Sequence, residues 1–118
     1  MPHIILEYTD NISIKKDFNQ LFAGIHTVLS EKAGIDPGNC KSRAIKLTDY
    51  FIGEGEKPNA FVHLEIRIFQ GRNLEIKQQI GNEILKLLRN YFNENSENLN
   101  IQITVEIIEM DGKLYFKV

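Results

Sequence analysis

The stretch AFVHLEIRIFQGRNLEIKQQIG, residues 60–81, changes its apolar period once, and that change decides the fold. Residues 60–69 alternate: Val62, Leu64, Ile66 and Ile68 lie to one side, Phe61, His63, Glu65 and Arg67 to the other. That is a strand with one apolar face. QGRN (70–73) makes a turn, and Asn73 supplies a side-chain oxygen to cap a helix beginning at Leu74. From there Ile76, Ile80, Ile84, Leu87, Leu88 and Tyr91 recur at helical spacing and form one apolar stripe. NENSENLN (93–100) is a polar turn, and IQITVEII (101–108) is again a strand, with Ile101, Ile103, Val105 and Ile107 facing one way. This half reads as a β-α-β unit.

Upstream the same plan appears. HIILEY (3–8) is apolar on both faces, as a buried strand is. After TDN (9–11), Phe18, Leu21, Phe22, Ile25, Val28 and Leu29 form a second helical stripe. Gly34 is its predicted C-cap, and Pro37 bars continuation. SRAIKLTDYF (42–51) follows as a strand, with Ile45 and Leu47 on one face and Ala44 and Lys46 on the other. Aligning Glu7 with Glu65 superposes HIILEY on FVHLEI. GEGEKPN (53–59) is a linker, because its glycines lack the Lys-Ser/Thr and the helix of a phosphate loop. At the end, Asp111–Gly112 predicts a type I′ hairpin turn and KLYFKV (113–118) a strand that needs an edge to pair with.

These readings give a single domain over 1–118, with an internal repeat of about 2–52 and 59–110 and a C-terminal tail strand at 111–118. The fold class is α+β (α/β): two tandem β-α-β units forming a four-stranded mixed sheet with both helices on one face. Right-handed crossovers make the strands within each unit parallel. The other face carries His63, Glu65, Arg67, Gln102, Thr104 and Glu106, with Phe61 and Ile108 among them. Solvent or sister subunits account for such a face equally well.

Composition narrows the function. A chain of 118 residues that is 42% hydrophobic and 25% charged is a globular domain. Its apolar runs fall well short of a bilayer span, and the N-terminus lacks the pattern of a secretory signal. A formal charge of −2 provides no basic field for nucleic acid. One cysteine, Cys40, excludes an internal disulfide, so a cytoplasmic protein is expected, with neither nucleic acid nor membrane as partner. His3, His26 and His63 show no ligand spacing, and His26 is placed at the edge of the first helical stripe. Cys40 reads as an ordinary thiol, and Tyr8, Phe51 and Phe116 as core residues or the wall of a pocket. Pro2 has two readings. It lacks an N–H and so suits the head of a strand; with Met1 removed it is also a secondary amine on a rigid ring.

PHIILEYTDNI, AFVHLEIRIFQGRNLEIKQQIG and EIIEMDGKLYFK together resemble the 5-carboxymethyl-2-hydroxymuconate Δ-isomerase family of the tautomerase superfamily. The second half separately resembles the short 4-oxalocrotonate tautomerases, in which GR precedes the helix and EM closes the next strand. The resemblance implies a tautomerase-like homotrimer, no metal and no organic cofactor, and removal of Met1 to leave Pro2 as catalytic base. The implied substrate is a small unsaturated 2-hydroxy or 2-oxo dicarboxylate. By the same resemblance Arg72, in place of the GR arginine, grips a carboxylate; from the residues alone it is a solvated turn residue. The family pattern has Arg-Ser-Arg where this chain has Lys41-Ser42-Arg43. Lys41 keeps the charge without the planar fork, and Arg43, on the same side of an extended strand, shares or takes over the role. The implied activity is a proline-mediated proton shift. The alternatives are a superfamily enzyme with another 2-oxo acid substrate and a non-catalytic trimeric binding module.

Overall fold

The computed structural model describes residues 1–56, 58–93 and 98–118. Strands β1 (His3–Thr9), β2 (Lys41–Leu47), β3 (Asn59–Phe69) and β4 (Asn100–Met110) form one sheet, and helices α1 (Asn19–Ala33) and α2 (Leu74–Asn93) cross it. The strand order is β2-β1-β3-β4. β1 runs parallel to β2 and β3 parallel to β4, as right-handed β-α-β crossovers require. The two units meet through antiparallel pairing of β1 with β3, in which Leu6 lies opposite Leu64.

Side-chain parity explains the layers. Ile4 and Leu6 of β1 and Val62, Leu64 and Ile66 of β3 are fully buried, and they cluster with Ile25 and Leu29 of α1 and Ile80, Ile84 and Leu88 of α2. Both helical stripes therefore cover the same face. On β2 the residues of core parity are Ser42, Ala44 and Lys46, paired with Ile4, Leu6 and Tyr8; Ile45 lies on the uncovered face and is 42% exposed. Beneath the helix ends, Phe18 packs between Tyr8, Phe22 and Tyr91, and the Tyr91 hydroxyl donates to the Lys16 carbonyl (2.6 Å).

The helix ends match the sequence. Gly34 adopts φ 66°, the left-handed conformation that favours glycine, and its N–H returns to the Ser30 carbonyl (3.0 Å). Asn73 Oδ1 accepts from the Ile76 N–H (2.9 Å), the expected cap of α2. No helix among the described residues is long and apolar enough to cross a membrane.

Two expected strands differ. β2 ends at Leu47 and does not run to Phe51, because its partner β1 ends at Thr9 and the Leu47 carbonyl instead accepts from the Asp10 N–H (3.0 Å). The hairpin at Asp111–Gly112 and the tail strand 111–118 are not formed. Asp111 Oδ1 accepts from the Lys113 N–H (2.9 Å), capping a 3-10 turn at Gly112–Leu114, and the chain beyond joins neither edge strand, β2 nor β4. The predicted polar turn 93–100 lies partly outside the described residues, as does Lys57 of the linker.

Leu64→Ala tests the join between the two units. Removing this fully buried side chain at the centre of the sheet is expected to cost about 2–5 kcal/mol, read as a lower urea midpoint with unchanged slope.

Candidate active site

With β1 and β2 parallel to each other and antiparallel to β3 and β4, the beginnings of the first pair share one end of the sheet with the ends of the second. Pro2 stands at that end. It is buried, and its carbonyl accepts from the Lys41 N–H (3.0 Å), so the β1–β2 ladder starts on a residue with no N–H to waste. The strand-head reading of Pro2 holds.

The chain end beside it is electrostatically hostile to positive charge. The Met1 amine donates to the Asn39 carbonyl (3.1 Å), and Lys41 Nζ reaches the same oxygen (3.4 Å). The pKa of the Met1 amine is lowered from its ordinary value, first by burial and then by Lys41. Both causes penalise an ammonium and leave a neutral amine unaffected.

Arg43 follows Lys41 on the uncovered face, as the strand parity predicted. Arg43 Nη1 donates to His3 Nδ1 (3.0 Å), and His3 Nε2 lies 2.8 Å from the Tyr115 hydroxyl. The Tyr115 ring meets Phe69 edge-on. The pKa of His3 is lowered by burial and, after it, by Arg43. Neither His3 nor Tyr115 stood out in the sequence. Their meeting depends on the β1–β2 register and on the tail folding back, and neither is written in local residue spacing.

Arg72 is placed differently. Gly71, at φ 125°, turns the chain out of β3, and Arg72 donates through Nε (3.3 Å) and Nη2 (3.2 Å) to the Ala33 carbonyl at the end of α1. There it satisfies a terminal carbonyl and complements the negative end of the helix. The structure thus gathers Pro2, Lys41 and Arg43, and anchors Arg72 to the helix layer at the same end of the sheet.

The remaining candidates sort themselves by burial. Tyr8 is core, but Phe51 and Phe116 are 78% and 86% exposed, so the core expectation fails for both. Each lies beyond the strand that would have carried it inward. Cys40 is half-buried, and burial raises its pKa, which keeps the thiol protonated and unreactive. His26 sits at the edge of the α1 stripe, its Nε2 2.7 Å from the Ser42 hydroxyl. On the uncovered face, His63 Nδ1 meets the Thr104 hydroxyl (2.7 Å), its Nε2 lies 3.4 Å from Glu106, and Arg67 pairs with Glu65 (3.2 Å). Among the described residues, no three His, Cys, Asp or Glu side chains are grouped to hold a metal ion.

Comparison with known proteins agrees with this architecture. The family model for 5-carboxymethyl-2-hydroxymuconate isomerase matches residues 2–118. The 5-carboxymethyl-2-hydroxymuconate Delta-isomerase of Escherichia coli is 31% identical over 117 residues, covering 99% of this chain and 93% of the relative. The crystal structure of a 5-carboxymethyl-2-hydroxymuconate isomerase from Deinococcus radiodurans superposes with a TM-score of 0.87 at 29% identity, over 99% of this chain and 88% of that one. A fused 4-OT symmetric trimer shares the fold at a TM-score of 0.72 and 10% identity, over 92% of this chain and 85% of that one. The sheet order, the doubled β-α-β plan and a match running from Pro2 to Val118 converge: the chain belongs to the 5-carboxymethyl-2-hydroxymuconate isomerase family.

Proposed function

We propose that this protein isomerises 5-carboxymethyl-2-hydroxymuconate as a homotrimer, with Pro2, freed by removal of Met1, as the base. The observation that carries this reading is the corner around Pro2, where burial and Lys41 already lower the pKa of the amine present there. An ordinary α-amino group titrates at ~7.7–8.0. A proline amine freed in the same corner meets the same burial and the same Lys41 charge, both of which disfavour its ammonium form, as a general base needs.

The chemistry is a proton shift without redox change. Pro2 takes a proton from the 2-hydroxy group or an adjacent carbon, and the electron pair spreads into the conjugated chain as a dienolate. The prolinium then returns the proton at another carbon, which moves the double bond and restores the free amine. Lys41 and Arg43 hold carboxylate and the developing oxyanion. The family's substrate adds a carboxymethyl group to the two carboxylates of muconate, so the cationic end of the sheet matches a strongly anionic ligand. Arg72 has guanidinium donors beyond the two used on Ala33 and serves as a further carboxylate contact.

Trimerisation is supported by the open architecture. β2 and β4 are both edge strands, and the uncovered face carries Ile45 together with an ordered polar network. A structural relative of the same fold is a symmetric trimer. The cytoplasm is the proposed location, supported by the single unpaired thiol of Cys40.

Intact mass of the isolated protein is expected to lack Met1, and Pro2→Ala is expected to lower kcat about 10²–10⁴-fold with the fold unchanged by circular dichroism. Full activity in Pro2→Ala, or in protein that keeps Met1, would refute Pro2 as base. Arg72→Ala is expected to raise KM for the substrate and to reduce stability by about 1–3 kcal/mol in urea, because it also frees the Ala33 carbonyl. A stability loss with unchanged KM would confine Arg72 to the helix end.

A further inference from the structure

We propose that His3 is a positioning residue, which fixes Arg43 and the C-terminal tail beside Pro2 through the chain Arg43–His3–Tyr115. This rests on the isomerase reading for its consequence but on geometry for its existence.

The proton positions follow from the partners. Arginine can only donate, so His3 Nδ1, 3.0 Å from Arg43 Nη1, is an unprotonated acceptor. A neutral imidazole then carries its hydrogen on Nε2 and donates it to the Tyr115 oxygen 2.8 Å away. One ring thereby ties three separate segments: the start of β1, strand β2 and the tail. The tail has little else to hold it, since Leu114 and Phe116 are 75% and 86% exposed, whereas Tyr115 packs on both His3 and Phe69. Arg43 gains a fixed direction in the same act, and a guanidinium held in advance loses less freedom when it binds a carboxylate.

The arrangement exists in one protonation state only. A proton added at Nδ1 would face the Arg43 donor and put a second cation against it. The charged groups around the ring reinforce this: Arg43 and Lys41 from β2, Arg67 from β3 and the amine at the chain end all oppose an imidazolium, as does partial burial. Tyr115, from the tail, accepts from the neutral ring. The linkage has a definite sign. Because the His3 pKa is lowered, the chain is intact at neutral pH and is lost as pH falls through that lowered value. Arg43 is released with it, so the grip on substrate weakens on the acid side.

The test joins kinetics to NMR of the mature protein. His3→Ala is expected to raise KM for 5-carboxymethyl-2-hydroxymuconate about tenfold with kcat changed less than about threefold, and to remove the acid-side rise of KM. Tyr115→Phe keeps the ring contact with Phe69 and removes the oxygen that accepts from His3, and is expected to give a smaller shift in the same direction. In ¹⁵N spectra, His3 of the wild type is expected as the Nε2–H tautomer, titrating below its ordinary value and moving back toward it in Arg43→Ala. A His3→Ala variant with unchanged KM and pH profile overturns the proposal, as does a His3 titration indifferent to Arg43→Ala. Absence of any turnover by the wild type contradicts the isomerase reading instead, and the imidazole spectra then decide the Arg43–His3–Tyr115 chain by themselves.

Discussion

The antiparallel pairing of β1 with β3 is the constraint on which the rest depends. Each β-α-β unit alone has a helix whose apolar stripe exceeds what two short strands can cover. Joined with Leu6 opposite Leu64, the units place Ile4, Leu6, Val62, Leu64 and Ile66 on one continuous floor, all fully buried beneath α1 and α2. A slip of one residue would send that whole set to the uncovered face. The parallel β1–β2 ladder beside it sets the chemistry. It brings the starts of β1 and β2 to one end, so Pro2 and Lys41 become neighbours through a ladder hydrogen bond rather than through any side-chain attraction.

That end of the molecule gathers cations where the chain end is also partly buried. Burial lowers the pKa of both the chain-end amine and His3, and Lys41, Arg43, Arg67 and the terminal amine lie close enough to His3 to lower its pKa further. A neutral amine is a base and a neutral imidazole is a hydrogen-bond acceptor, so one electrostatic condition serves both. In the Arg43–His3–Tyr115 chain Arg43 is held by an imidazole nitrogen rather than a carboxylate, which leaves its charge for an anionic ligand. On β3, by contrast, Arg67, opposite His3, is paired with Glu65, and His63, farther along the strand, with Glu106.

Much of the fold was legible because the sequence signals it locally. The switch of period at QGRN marked β3 and α2, Asn73 and Gly34 marked helix ends, and the superposition of HIILEY on FVHLEI marked the repeat. What failed depended on partners. Residues 48–51 have strand-like character but lie beyond the end of β1, and KLYFKV alternates well enough for a strand yet follows an Asp111-capped turn and joins neither edge strand. The site divides in the same way. Pro2, Lys41 and Arg43 were found by resemblance and parity, whereas His3 and Tyr115 are joined across 112 positions of sequence by a contact that no spacing encodes. Arg72 was identified as a cation of interest, but its anchorage on Ala33 belongs to the tertiary fold.

Catalysis by this site turns on the state of one nitrogen. A ¹⁵N NMR titration of Pro2 in the protein as isolated measures it directly. Pro2 is expected to titrate as a secondary amine with a pKa below the ~7.7–8.0 of an ordinary α-amino group. A nitrogen with the shift of an amide and no titration, or an amine titrating above that range, would contradict it.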